Sequence, residues 1–241
     1  MIKFFRNIRR QLLGEGKTAK YFKYAFGEIL LVMIGILLAL QVNNWNENRK
    51  TKQQETKLVS QLLEDSKADS IFFESRFLFQ KQRDTLYNDL ILYGLNPKLD
   101  SIGKRTTNGF PFFFRLAYQS NLINNNPNAY EQISNDSIRA KLREYHAKYD
   151  YVVHSIDLSN RITEQYGTPL NIQYSKQIRK FMNSDIVQVK DMSDLLKDET
   201  VIASLEQFKF FGINFSIQVQ NFLVVNHELR IMLNNYLEQK Q

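Results

Sequence analysis

The chain has no cysteine, and only four prolines and nine glycines, in 241 residues. Without cysteine there are no disulfides, no thiolate zinc ligands and no cysteine nucleophile. The scarcity of proline and glycine argues against turn-rich sandwiches and barrels. A mean hydropathy of −0.40 is too polar for a protein with many membrane spans, so the composition allows one or two at most.

The sequence also lacks the common catalytic motifs. It has neither a phosphate-binding glycine loop nor the strand-to-helix turn that presents a serine nucleophile. We therefore expect a protein that is not an enzyme and that carries no cofactor.

Basic residues are concentrated at the N-terminus. Residues 1–23 contain seven Lys and Arg side chains and a single Glu, so most of the formal charge of +7 lies in this block. Nucleic-acid-binding domains spread basic residues over a folded face, so this block favours anionic lipid headgroups over nucleic acid as its partner. Its first thirteen residues fit either a short interfacial helix or an unstructured positive flank.

One segment is apolar enough to cross a membrane. Ile29–Leu40 has no polar side chain, and its flanks extend the span to about 20 residues, which is roughly the length that a hydrocarbon core requires. The sequence thus predicts a transmembrane helix over residues 24–44, in contact with the lipid bilayer. Tyr24 and Trp45 mark its two interfaces, where amphipathic rings accumulate.

The basic block also predicts orientation. Arg and Lys side chains follow the span as well, but they are fewer and are diluted by Glu47 and Glu55. The positive-inside rule then places residues 1–23 in the cytoplasm and residues 45–241 in the periplasm, with the span acting as a signal anchor in the inner membrane. A cleaved signal peptide is the alternative, although Ala39-Leu40-Gln41 is a poor cleavage site.

Three residues make the span a candidate contact surface. Gly35 and Ala39 form a small-xxx-small pair that lets two helices approach closely, as in a homodimer, although such pairs also arise by chance. Glu28 can pair with a partner helix. It lies near the cytoplasmic edge, so a carboxylate that reaches into the headgroups is an equal alternative.

The segment from Tyr24 to Lys50, YAFGEILLVMIGILLALQVNNWNENRK, resembles the N-terminal signature of an uncharacterised family of single-pass membrane proteins common in Bacteroidota. A weaker resemblance lies around Ala129-Tyr130-Glu131-Gln132-Ile133, Ile138-Arg139 and Leu142-x-x-Tyr145. The family usually has a small-residue turn before this second helix, where this chain has Ser134-Asn135-Asp136-Ser137. The resemblance implies an envelope protein with a helical outer domain and supplies no functional residues.

The pattern of apolar residues predicts an all-α outer domain, an elongated helical bundle over residues 45–241. A helix without proline or glycine continues outward from the span through residues 48–93, although Asp65, Asp69 and Arg76 interrupt its apolar side. Residues 94–109 are predicted as a loop and residues 110–122 as a short helix. Asn126-Pro127 is predicted to open another helix, and Gly167 to end the helix before Thr168-Pro169 opens the next.

Two further segments carry heptad rows, in which apolar residues alternate spacings of four and three. The first row predicts a helix over about residues 138–156, and the second predicts a final helix of about 36 residues. The two rows are Ile138, Leu142, Tyr145, Tyr149, Val152 and Ile156, and Val201, Leu205, Phe208, Gly212, Phe215, Val219, Phe222, Asn226, Leu229, Leu233 and Tyr236.

A few polar residues are candidates for a site. His146, Asp150 and His154 are spaced by four on one helix, so they can be metal ligands or a solvated stripe. His227 is interpreted as a histidine at the edge of the core, and Asn226 as a polar residue that fixes helix register. The aromatic residues 110–114 are assigned to the core, with an apolar ligand pocket as the alternative.

The sequence therefore predicts a membrane-anchored, non-enzymatic envelope protein whose periplasmic bundle binds a protein partner or senses a ligand. A metal-dependent envelope enzyme that uses His146, Asp150 and His154 is one alternative. A structural subunit of a membrane complex is the other.

Overall fold

The computed structural model describes residues 18–107, 115–182 and 187–240. The chain forms two compact units, Met1–Glu55 and Thr56–Gln241. The helices are α1 (Thr18–Leu95), α2 (Asp100–Gly103), α3 (Asn121–Asn125), α4 (Ala129–Gln132), α5 (Asp136–Ile162), α6 (Thr168–Gln173), α7 (Ser175–Met182) and α8 (Glu199–Glu238). A π-helical segment, Thr163–Gly167, joins α5 to α6, and the 3₁₀ turns Val189–Met192 and Leu195–Lys197 precede α8. The all-α prediction is confirmed.

In the first unit, the described residues belong to α1. This helix contains an 18-residue window with a mean hydropathy of 2.3, and none of that window is buried. By length and composition, α1 is long and apolar enough to cross a membrane. The predicted interfacial helix near the N-terminus lies outside the described residues.

In the second unit, α1, α5 and α8 form a bundle. Ser66 and Gln80 of α1 lie beside Asn226 and Gly212 of α8, so the two helices run antiparallel. In α5, Lys141 pairs with Glu228 at 2.8 Å, and the opposite end of α5 lies near Phe208. Helix α8 is thus antiparallel to both of the others, which fits the predicted helical bundle.

The heptad rows of α5 and α8 face this bundle. Every residue of both predicted rows is buried, including Gly212 and Asn226. The apolar contacts divide into two clusters along the bundle. One is centred on Phe73, Tyr145 and Phe222, and the other on Tyr87, Leu195 and Leu205.

The predicted helix over residues 110–122 is wrong for residues 115–120, which have no regular structure. Asn160 of α5 satisfies the backbone of Leu116 by accepting from its N–H at 3.0 Å and donating to its carbonyl at 2.8 Å. The Tyr149 hydroxyl likewise accepts from the Ser120 N–H and donates to the Tyr118 carbonyl. In this segment, side chains of α5 therefore form the backbone hydrogen bonds that groups four residues away would form in a helix. Residues 108–114, which include the aromatics at 110–114, lie outside the described part.

Three boundaries also differ from the prediction. Gly167 does not end the helix, because it has right-handed helical dihedral angles and the π-helical segment leads through it into α6. The helix assigned to Asn126-Pro127 begins at Ala129 instead, because the Asn126 amide donates to Asp65 at 2.9 Å and does not cap a helix. The predicted loop over residues 94–109 contains α2 and the strand Thr106–Thr107. This strand pairs antiparallel with Val187–Gln188, Thr106 opposite Gln188.

Candidate functional site

The most densely bonded polar group in the described residues is the carboxylate of Asp69. It lies on the inner side of α1 and is 0% exposed. An isolated charge at such a position is very costly, so its bonding partners decide whether the site is stable.

Five donors converge on this carboxylate. Oδ1 accepts from the Tyr118 hydroxyl at 2.7 Å and from the backbone N–H of Asn121 at 2.7 Å. Oδ2 accepts from the hydroxyls of Ser120 and Tyr145, both at 2.5 Å, and from the Leu122 N–H at 3.3 Å. The acceptor capacity of a carboxylate is about four lone-pair sites, so this group is fully used. We call Asp69 and these five donors the Asp69 cluster.

The tyrosines of the cluster are held in their protonated form. Burial, and then the hydrogen bond to Asp69, raise the pKa of Tyr118 far above its ordinary value. Burial and the nearby charge of Asp69 do the same to the pKa of Tyr145. Both hydroxyls therefore remain donors at neutral pH.

The cluster fixes the short helix α3 at its N-terminus. Ser120 is the N-cap of α3 and accepts from the Ile123 N–H at 3.2 Å while donating to Asp69. The two backbone donors to Asp69 also belong to the first turn of α3, where a negative charge is favoured. One turn earlier on α1, Asp65 accepts from the side-chain amides of Asn125 and Asn126, at the other end of α3.

Aromatic rings enclose the cluster. The Tyr118 ring stacks on Phe72 with centroids 3.8 Å apart, and Phe73 meets Tyr118 edge-on at 4.9 Å. On the other side, Tyr145 contacts Phe222 at 4.9 Å. The enclosed, fully bonded carboxylate is suited to hold α1, α3 and α5 together. It presents no free acceptor for a substrate.

Asn226 lies beside this cluster on α8. Its amide is fully buried and donates to the Ser66 carbonyl of α1 at 2.8 Å, while its Oδ1 has no partner among the described residues. The bond ties α8 to α1 at one position, in keeping with its predicted role in fixing register.

The three candidate metal ligands of α5 lie toward solvent. His146 is half-buried, with Tyr130 edge-on at 6.4 Å, whereas Asp150 and His154 are exposed. Burial lowers the pKa of His146. Among the described residues, no three His, Cys, Asp or Glu side chains are grouped so that they could hold a metal ion.

Two candidate contact residues of the apolar segment, Gly35 and Ala39, face open space. A Cβ atom at Gly35 would meet nothing within 4 Å, and Ala39 is exposed. Glu28 is half-buried. Trp45 is 66% exposed, with the Arg49 guanidinium 5.5 Å from its ring centre. The side chain of Tyr24 lies outside the described residues.

His227 is exposed rather than at the core edge. It lines an open groove of about 370 Å³ between α1 and α8, together with the exposed side chains of Ile71 and Ile231. Lys67 and Arg230 also line this groove. The sequence does not predict this groove, because its lining comes from α1 and α8, which are far apart in the chain.

A family of unknown function, DUF6090, matches residues 28–103. The chain is similar to this family from within the apolar segment to the end of α2, which is less than half of its length. The match includes Asp69 but none of its five donors, and it excludes the weaker resemblance around Ala129 and Tyr145. No curated protein and no solved structure matches the chain.

Proposed function

We propose that the chain is a single-pass, non-enzymatic protein of the inner membrane. Its periplasmic helical domain binds another protein through the exposed face of α8, which lies opposite the buried heptad row. The observation that carries this proposal is the large apolar surface that α8 leaves exposed, including Phe210 at 66% and Val224 at 55%. Contiguous exposed apolar surface on a folded domain is typical of protein–protein contact.

The anchor rests on the apolar window of α1. Twelve consecutive apolar or glycine residues, Ile29–Leu40, are exposed along one helix, an arrangement that is unfavourable in water and favourable in lipid. The seven basic residues before the span support the orientation with residues 1–23 in the cytoplasm, where they can contact anionic headgroups. Gly35, Ala39 and Glu28 are proposed to contact a second helix within the membrane.

Protein binding is favoured over ligand sensing because the main buried polar site has no acceptor left for a ligand. The most elaborate buried polar site, the Asp69 cluster, is already saturated by its own chain. The groove between α1 and α8 is open, and its lining includes the exposed apolar side chains of Ile71 and Ile231.

Site-specific photocrosslinking in living cells tests this proposal. A benzophenone amino acid at Ile217 or Val224 of α8 is expected to give a discrete protein adduct, because both side chains are exposed on the proposed surface. The same amino acid at Ala147, an exposed position on α5, serves as the matched control and is expected to give none. Adducts that are absent from α8, or equally strong at Ala147, would contradict protein binding through this face.

A further inference from the structure

Six of the described residues line the groove between α1 and α8, and none of the six is acidic. Those from α1 are four residues apart, and those from α8 are spaced by three and four, so each set lies on one side of its helix. The six are Lys67, Ile71, His227, Arg230, Ile231 and Asn234. The groove therefore combines two cations with two exposed aliphatic side chains, Ile71 at 69% and Ile231 at 46%.

Arg230 is the cation that lacks a partner. It is half-buried, and it makes no hydrogen bond or ion pair with the described part of the chain. Glu228, two residues before it, is engaged by Lys141 of α5 at 2.8 Å. A guanidinium that is partly withdrawn from water is stabilised by a carboxylate, which it can bind through two parallel N–H donors. Arg230 is therefore available to a carboxylate from outside the chain.

Lys67 is paired only at the surface. Its ammonium lies 2.8 Å from the carboxylate of Glu64, and the two side chains are 45% and 69% exposed. Such exposed pairs contribute little free energy, and an ammonium has three donor protons, so Lys67 can keep Glu64 and still bind a second carboxylate. Glu74, on the same helix, accepts from Ser70 at 2.6 Å and does not line the groove.

The two cations stand at one end of a long uncharged surface. Residues 210–226 of α8 contain no Lys, Arg, Asp or Glu, and Phe210, Ile217 and Val224 among them are 66%, 50% and 55% exposed. The groove residues of α8 begin at position 227, directly after this segment. An occupant that covers both parts must be apolar over most of its length and acidic where it reaches Arg230.

We infer that the groove binds an acidic segment of another protein, whose carboxylate pairs with Arg230 and whose aliphatic side chain packs against Ile71 and Ile231. A small carboxylic acid would fill the groove but leave residues 210–226 uncovered, and these extend over about 25 Å of helix. This inference rests on the proposed function and names the chemistry of its partner.

Photocrosslinking of the full-length chain in living cells tests the inference. A benzophenone amino acid at Asn234, an exposed residue of the groove, is expected to give a discrete protein adduct. Adding Arg230→Glu should reduce the adduct by about tenfold or more, because like charges would then face each other. Arg230→Lys, which keeps the positive charge, should retain most of the adduct. Arg143→Glu, exposed on α5 and outside the groove, is the matched control and should leave the yield unchanged.

A charge exchange then identifies the contact. Mass spectrometry of the adduct gives the crosslinked peptide of the partner, which is expected to contain Asp or Glu. Replacing that acidic residue with Arg should restore the adduct of the Arg230→Glu chain, because the two charges are then opposite again.

The outcomes separate the inference from the proposed function. If Ile217 and Val224 give a protein adduct while Asn234 gives none, or if Arg230→Glu leaves the Asn234 adduct unchanged, the acidic segment is refuted and protein binding stands. A loss with Arg230→Lys or Arg143→Glu as large as with Arg230→Glu also refutes it, as does an adduct with lipid or with a second copy of the chain. If no position gives an adduct, both proposals fail.

Discussion

At the scale of single residues, the Asp69 carboxylate makes the segment before α3 part of the core. Its donors come from residues 118–122 and from α5, about 50 and 76 positions along the chain. A buried carboxylate without such donors would destabilise the fold, so the segment and the carboxylate depend on each other.

Replacing Asp69 with asparagine is expected to lower the free energy of unfolding by about 2–4 kcal/mol. The side-chain NH₂ group of asparagine donates and cannot accept, so it would face donors such as the Ser120 and Tyr145 hydroxyls. Thermal unfolding of the full-length protein in detergent, followed by near-ultraviolet circular dichroism of the tyrosines, measures the loss.

Asp65→Asn is the matched control, since Asp65 lies one turn away on the same helix and accepts from two side-chain amides. We expect this change to cost about 0.5–1.5 kcal/mol. Equal losses for the two variants would mean that the cluster around Asp69 contributes nothing beyond an ordinary surface contact.

The sequence shows Asp69 only as an interruption of an apolar row. Its donors are distant in sequence and lie largely in residues 110–122, a segment that is predicted from the sequence as a short helix. One signal was available. Asp65 and Asp69 are four apart, which places both on the face of α1 that carries Leu62 and Phe73. An acid among buried positions requires internal donors, but the pattern does not reveal which residues supply them.

At the scale of helices, Gly212 sets how closely α8 approaches α1. A Cβ atom there would overlap the Gln80 side-chain amide and lie 2.8 Å from Oδ1 of Asp84. Gln80 is buried and donates to Asp84 at 2.8 Å, so neither side chain can withdraw without loss of this bond. Asp84 is half-buried, and this burial raises the pKa of its carboxyl.

Gly212→Ala is expected to lower the free energy of unfolding by about 1–2 kcal/mol, although alanine is the better helix former by about 1 kcal/mol. Chemical denaturation of the full-length protein in detergent gives the value. In the double variant with Gln80→Ala, the smaller side chain makes room, so the two losses should be less than additive.

Gly27→Ala is the comparison, because a Cβ atom at Gly27 would meet nothing within 4 Å. It should leave the stability of the bundle unchanged. A Gly212→Ala protein more stable than the parent would show that α1 and α8 are not closely packed at this point.

The long helices follow from the sequence because their heptad rows extend over many turns. Every row position of α5 and α8 is buried as predicted. The short elements do not. Helix α3, for example, has only five residues, and its two ends are fixed by Asp69 and Asp65 of α1. The apolar residues Phe210, Ile217, Val224 and Ile231 are visible in the sequence of α8, yet their exposure becomes evident only when the heptad row on the other side is known to be buried.

At the scale of the whole molecule, the chain combines an apolar span with a helical domain that has an unpartnered face. We propose that the basic block before the span sets the direction of insertion and that the exposed face of α8 makes the protein contact. A domain held at one membrane surface would meet its partners at a raised effective concentration, so a modest interface would suffice for binding.

The central claim is that residues after the span lie outside the cytoplasm, and cysteine accessibility tests it most directly. In cells whose outer membrane has been permeabilised, a membrane-impermeant maleimide should label Ala147→Cys at once. It should label Lys20→Cys, which precedes the span, only after the inner membrane is broken. Labelling of Lys20→Cys with protection of Ala147→Cys would reverse the orientation, and equal labelling of both in intact cells would contradict a membrane span.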